Sequence, residues 1–533
     1  MSHMEMTWAC GMLLAIATLL YTVLGCYGYN WDQLKLHPEH IPFFFNSNPE
    51  IKLLCNQTET CPYRWTLSMK KCWGYEENCT VLDRMKTPEC DGDSHGWAAD
   101  RASQLDMFWK QADFGYVNEK LNEMKRLCTP NTQNDSSLEC VRYTRFCRGK
   151  NIYFDFREAS FSQSRERFSE DLFKAGQIGG HCTLDREALK AEGEHKSALQ
   201  SWFAELEQFT PLPFHPIKDQ QCDVIIDKPT YLMKLDAGVN LFHHFCDFIN
   251  LYIAQHVNNS FSTDVNIIMW DTSAMPYRDF FENTWRAFTD YSVKPLSSYD
   301  GKRVCIKEVV FTLLPRMRYG LYYNMPLIPG CSGSGMVRAF SQHLMHRLDI
   351  SQEGPAKYSI RITLLSRNTK YRNILNQDEL VSALKTVGEF EVKLVEYNLN
   401  MPFLEQMKIS HNSDIFIGIH GAGLTHLLFQ PDWAVVFEIY NCEDEHCYLD
   451  LARLRGIKYM TWEKKEKMVQ EDEGHHPTLG AHSKFTNYAF DVSEFMRLMY
   501  KAADYVRTHP GFIKAWREKY EMREEETYMK EEL

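Results

Sequence analysis

Ile415-Phe416-Ile417-Gly418-Ile419-His420-Gly421-Ala422-Gly423-Leu424-Thr425-His426 is a short apolar run cut off by two closely spaced glycines, after which a helical period resumes. An unbroken apolar stretch of this length reads as a strand covered on both faces, and strand, glycine turn and helix together make one unit of a parallel sheet. Neighbouring segments repeat the alternation. Residues 358–365, 390–396, 414–420 and 434–440 read as strands, with helices over 378–386 and 402–410 between them. Upstream, 223–227, 265–270 and 304–313 read as strands, and 241–257 and 336–348 as helices. The cluster Ser351-Gln352-Glu353-Gly354-Pro355 separates the two series and reads as a hinge within 349–356. The fold class is therefore α/β, with two facing Rossmann-like lobes over 221–350 and 351–510 and the substrate between them.

The same run suggests chemistry. Gly421 and Gly423 let a backbone approach phosphate oxygens closely, while the helix that follows offers unpaired N–H groups and the positive end of its dipole. His420 would add a hydrogen bond, and Ala422 lies within the turn; the bland alternative is a glycine corner with a packed histidine. Glu438 ends the next strand, where a carboxylate would hold two ribose hydroxyls or else sit on an exposed edge strand. Arg367 and Arg372 follow the strand ending at Leu365, and a planar guanidinium pairs two phosphate oxygens without losing its charge. In the first lobe His243 and Asp247 stand four apart on one helix, the spacing for a carboxylate that orients a general base. That pair would equally serve as a core hydrogen bond, or hold a metal if a third ligand existed. Asp290-Tyr291-Ser292 resembles a metal-binding Asp-x-Asp signature with its second acid missing, which leaves a divalent ion such as manganese in doubt.

The remainder of the 533 residues indicates a compartment. An apolar segment ending near residue 28 reads as a signal peptide (1–28), and no later stretch has spanning length. Of seventeen cysteines, eight crowd 55–147, as a disulfide framework in a cysteine-rich module over 29–220 would require. No CxxC pair suggests a zinc finger, and an odd number of cysteines after residue 28 leaves at least one thiol unpaired. Sequons begin at Asn56, Asn78, Asn134 and Asn258. A charged tail (511–533) ends in Lys530-Glu531-Glu532-Leu533, similar to the signal read by the endoplasmic-reticulum retrieval receptor. A net charge of −12 speaks against nucleic acid or an anionic membrane as partner.

The segments 108–116, 234–240, 314–320 and 420–426 together resemble glycosyltransferase family 61 over nearly the whole chain. That resemblance implies a GT-B-type enzyme of the endoplasmic-reticulum lumen. It would transfer N-acetylglucosamine, with inversion, from its uridine diphosphate donor (UDP-GlcNAc) to Ser or Thr of folded EGF-like domains, including those of Notch receptors. It also implies an acceptor-side role for the segment around Asn240, Phe242, His243 and Asp247, and donor-binding roles for Arg367, Arg372, His420, Gly421, Ala422, Gly423 and Glu438. Relatives carry Asp-Tyr-Asp where this chain ends in Ser292. The rival readings are a transferase directed at O-mannose and a noncatalytic lumenal lectin or chaperone.

Overall fold

The computed structural model describes residues 31–531 except 196, 276–277 and 323–325. The expected signal peptide, and Glu532 and Leu533 of the tail, lie outside the described residues. The first sheet begins with β1 (Lys125–Thr129), β2 (Ser137–Cys140) and β3 (Cys147–Asp155), then adds β4 (Thr230–Met233), β5 (Asn266–Met269), β6 (Lys294–Pro295) and β7 (Arg303–Phe311). Its parallel part runs β6-β5-β4-β7 in space. The second sheet comprises β8 (Ile360–Ser366), β9 (Phe390–Glu396), β10 (Ile415–Gly418), β11 (Val435–Glu438) and β12 (Lys458–Thr461). It is parallel throughout, in the order β9-β8-β10-β11-β12. β10 and β11 are buried along their whole length, which explains their lack of polar alternation.

The boundary expected at 220 falls inside one sheet. β3 pairs antiparallel with β7 over eight residue pairs, from Arg303 opposite Asp155 to Phe311 opposite Cys147, so the cysteine-rich region extends the first sheet as well as wrapping it. Among the described residues six disulfides join Cys55–Cys61, Cys72–Cys79, Cys90–Cys331, Cys128–Cys182, Cys140–Cys147 and Cys222–Cys305. Cys246, Cys442 and Cys447 are free. Disulfides at this density belong to chains that fold in an oxidising, secretory compartment. No helix among the described residues is long and apolar enough to cross a membrane.

Among the helices, α1 (Arg101–Ala112) and α2 (Phe114–Glu123) meet at Asp113. α3 (Leu241–Val257) is buried on almost every side. It packs against β10's following turn through Phe245, whose ring lies 5.1 Å from Phe429. One apolar core therefore runs from Phe340 and Phe245 to Phe416 and Val436 of the second sheet, and the two lobes are fused along it. α4 (Gly335–Arg347) completes the first lobe, and α5 (Gln377–Lys385) and α6 (Phe403–His411) flank the second. The expected hinge is tied down: Lys519 and Tyr520 donate to the Pro355 carbonyl, and Gln352 to that of His411. Those two tail residues sit on a helix that begins at Pro510, so the tail's first turns are docked.

Candidate active site

β8 and β10 are adjacent in space, but the chain leaves them toward opposite edges of the second sheet; such a switch point opens a crevice beyond the strands' carboxyl ends. A cavity of about 210 Å³ lies there, lined by Leu365, Ser366, Arg367, Tyr397, Ile419 and Gly421. Gly421 has φ 156° and ψ 164°, a conformation that belongs almost entirely to glycine. A Cβ there would lie 2.5 Å from Arg367 Nη1, and one on Gly423 would lie 2.5 Å from Leu365 Cδ2. The expected helix follows as a 3₁₀-helix, Ala422–Phe429, and it presents its N-terminus to the cavity's edge.

Arg367 Nε donates to Thr369 Oγ1 (2.7 Å) and the Tyr371 carbonyl (3.1 Å), and Arg372 Nη1 donates to the His420 carbonyl (3.1 Å). Arg372 Nε is buried with no partner. Burial, reinforced by the charge of Arg372, pushes the Arg367 guanidinium down to about 10. Two cations crowded around one glycine turn make a seat for an anion.

His420 Nδ1 lies 2.8 Å from Glu438 Oε1, and Tyr459 donates to Oε2 at 2.5 Å. Glu438 is fully buried, and β11 is an inner strand, which corrects the reading of an exposed edge glutamate. With both oxygens engaged by side chains, it holds His420 in place rather than standing open to a ribose. On the other side of the ring, Nε2 is 3.7 Å from Asp444, which itself pairs with Lys484 at 2.7 Å.

On the first lobe Asn240 caps α3, accepting from the Phe242 and His243 backbone N–H groups. His243 Nδ1 meets Asp236 Oδ2 at 2.6 Å, and Arg316 forks onto the same carboxylate at 2.9 and 3.0 Å. The expected pairing of His243 with Asp247 is not formed. Helical side chains lean toward the N-terminus, so His243 meets Asp236 in the loop before the helix, and Asp247 turns into the core. There it faces His244 Nδ1 (3.3 Å), whose Nε2 faces Asp279 (3.2 Å). Burial alone would lower His244, yet the two carboxylates raise it to about 9. Burial raises Asp247 to about 6, against the pull of His244. Burial also works to raise Asp236, but the hydrogen bonds from His243 and Arg316 prevail and hold it below the usual carboxylate range.

The two clusters are linked by aromatic rings: Phe242, next to His243, lies 5.9 Å from Tyr448, which lies 5.3 Å from His420. Tyr448 begins the turns of α7 (Cys447–Arg455). Sequence reasoning passed over Asp236, Arg316, Tyr448 and Tyr459. Asp236 and Arg316 were visible as polar residues just beyond the carboxyl ends of β4 and β7, the position where parallel sheets carry their sites.

Asp290 is elsewhere. Its Oδ1 pairs with Lys35 and its Oδ2 accepts from Thr263, both at 2.8 Å. It lines a separate cavity of about 1170 Å³ with Tyr291, Ser292 and Asp279. Each oxygen is already claimed, one by a cation, and Ser292 supplies no second carboxylate, so this donor set does not fit a divalent ion. Asn56, Asn78 and Asn134 are exposed, and Asn258 is half-buried at the C-cap of α3.

The profile of Glycosyltransferase 61 matches residues 241–437, from α3 into β11. The chain is similar to the "EGF domain-specific O-linked N-acetylglucosamine transferase" of Gallus gallus, with 58% identity across 92% of this chain and 94% of the relative. Proteins of the same description from Canis lupus familiaris (59%) and Drosophila melanogaster (49%) each match 90% of this chain and 92% of their own length. Among solved structures, a bacterial iron-containing dodecameric glycosyltransferase covers 53% of this chain and 81% of its own, at 12% identity and a TM-score of 0.27.

Proposed function

Because the chain belongs to glycosyltransferase family 61, among its EGF domain-specific O-linked N-acetylglucosamine transferases, we propose that it moves N-acetylglucosamine from UDP-GlcNAc to a Ser or Thr hydroxyl of a folded EGF-like domain, with inversion at the anomeric carbon. The observation that carries this reading is the pair Arg367 and Arg372 around Gly421 at the switch point of β8 and β10. Neither guanidinium has a carboxylate partner among the described residues, and a diphosphate would complete both.

Inversion needs one in-line displacement: the acceptor hydroxyl loses a proton as it attacks, and the diphosphate leaves from the opposite face. His243 is the base. Asp236 holds its Nδ1 and, kept ionised by Arg316, stabilises the imidazolium that forms when the opposite ring nitrogen takes the proton. Arg367, Arg372 and the N-terminus of the 3₁₀-helix take up the charge of the departing diphosphate, with His420 steadied by Glu438 beside them. No step runs through a metal. The parallel orders β6-β5-β4-β7 and β9-β8-β10-β11-β12 support two GT-B lobes, acceptor-side over 221–350 and donor-side over 351–510. We place the enzyme in the endoplasmic-reticulum lumen, retained through its tail, with Notch-type EGF repeats among its acceptors.

The test is mass spectrometry of a folded EGF-like repeat and an O-mannosylated peptide, each incubated with the purified chain and UDP-GlcNAc, with and without chelator. Addition of N-acetylhexosamine to the EGF repeat alone, undiminished by chelator, is the expected result. Transfer only to the mannosylated peptide, or to neither despite measured donor binding, would overturn the acceptor assignment or the activity respectively.

A further inference from the structure

The antiparallel end of the first sheet carries a side-chain cluster that the transfer reaction does not use. Asp135, His181 and His215 come from three segments well separated in the chain, and each offers a ligand atom within 4.8 Å of the other two. Asp135 is 4% exposed, in the turn between β1 and β2. Its Oδ2 accepts from the Asn131 and Thr132 backbone N–H groups at 3.0 and 2.8 Å, and its Oδ1 accepts from Thr132 Oγ1 at 2.9 Å and faces His215 Nδ1 at 3.3 Å. His181 Nδ1 lies 2.9 Å from the Leu212 carbonyl. A carbonyl only accepts, so that nitrogen carries the proton and the ring's other nitrogen keeps its lone pair, the arrangement in which a histidine binds metal. The two imidazoles lie against each other, 3.9 Å between ring centroids.

We propose that Asp135, His181 and His215 bind one zinc ion, with water completing the tetrahedron. Two imidazoles and a carboxylate suit zinc, whereas manganese and magnesium favour oxygen-rich sets. Two ligands each about 2.0–2.1 Å from a tetrahedral ion stand roughly 3.3 Å apart, the separation found between Asp135 and His215. The ligands are held before any ion arrives: Asp135 by its turn, His181 by the Leu212 carbonyl and by the Cys128–Cys182 disulfide next to it. The other cluster of metal-binding residue types among the described residues, Cys72, Glu76 and Cys79, has both sulfurs in a disulfide and no thiolate to give. The zinc would pin the turn after β1 to the segments at 181 and 215, and it takes no part in sugar transfer.

The untagged, purified full chain is exposed to zinc sulfate, gel-filtered and assayed for metal by mass spectrometry, beside His181→Gln and His215→Gln. One equivalent of zinc in the wild type, lost in both variants, is expected, together with a thermal midpoint that chelation lowers in the wild type alone. A competition titration of the wild type against a chromogenic chelator reads the same stoichiometry without relying on a variant's folding. Absence of stoichiometric zinc in that titration, or zinc retained undiminished by either folded variant, would overturn the site.

Discussion

At Gly421 a single missing methyl group makes room for the Arg367 guanidinium. Arg367→Ala is expected to weaken UDP binding about 10- to 100-fold, the worth of a charge-assisted hydrogen bond of about 1.5–3 kcal/mol. Gly421→Ala should do at least as much, because the new Cβ evicts the arginine, and isothermal calorimetry with UDP measures both. Across the site, His243→Ala is expected to lower kcat by about 10²–10⁴ with donor KM little changed. Asp236→Asn should lower kcat less and displace the acidic limb of the pH–rate profile, as loss of a positioning carboxylate does. Asp247→Ala should instead cost about 1–3 kcal/mol of stability, because His244 loses one of its two carboxylates and keeps Asp279, while the folded fraction keeps its turnover. His244 also sets a pH dependence. Its folded value is raised from 6.5 to about 9, so its stabilisation is complete below 6.5 and is lost as pH rises toward 9. Asp247, at about 6, is largely ionised above pH 7, so the fall above that pH belongs to His244. Denaturant midpoints measured from pH 6 to 10 should fall more steeply in the wild type than in His244→Gln.

At the scale of elements, what could be read locally was read. The helix Leu241–Val257 has the bounds its sequence suggested, because an Asn cap and an apolar face are both written into it. The strands Phe390–Glu396 and Ile415–Gly418 were legible for the same reason, as runs bounded by turns. The helix pair around Asp113 was not, since nothing local says that one carboxylate serves two distant termini. Asp113 accepts from Phe114 N–H at the start of α2 and from Gly335 and Met336 N–H at the start of α4, all within 2.9 Å. Asp113→Ala should therefore cost about 2–4 kcal/mol, two caps and an unsatisfied buried turn. Asp113→Asn keeps an oxygen for the Phe114 and Met336 N–H groups but turns its amide nitrogen on the Gly335 N–H, so it should cost less than the alanine variant without matching the wild type, and chemical denaturation separates them. The partner of His243 escaped notice in a similar way: four-residue spacing is a statement about Cβ positions, and the side chain chose a loop that the helical pattern does not describe.

For the whole molecule, composition marked the compartment correctly in kind, with six disulfides and three free thiols among the described residues. Their pairing was beyond reach, as Cys90 and Cys331 are 241 residues apart. So was the sheet that crosses residue 220, because strand pairing at long range leaves no periodic trace in either partner. That crossing has a practical side. β3 covers the full length of β7, so a chain begun after residue 220 would leave one side of β7 as a long bare edge, although its pairing with β4 and the Cys222–Cys305 bridge would remain. Unpaired edges of that length recruit other chains. Such a shortened protein is expected to elute from size-exclusion columns as aggregates rather than as a smaller working enzyme, so the minimal soluble unit of this transferase includes the cysteine-rich region.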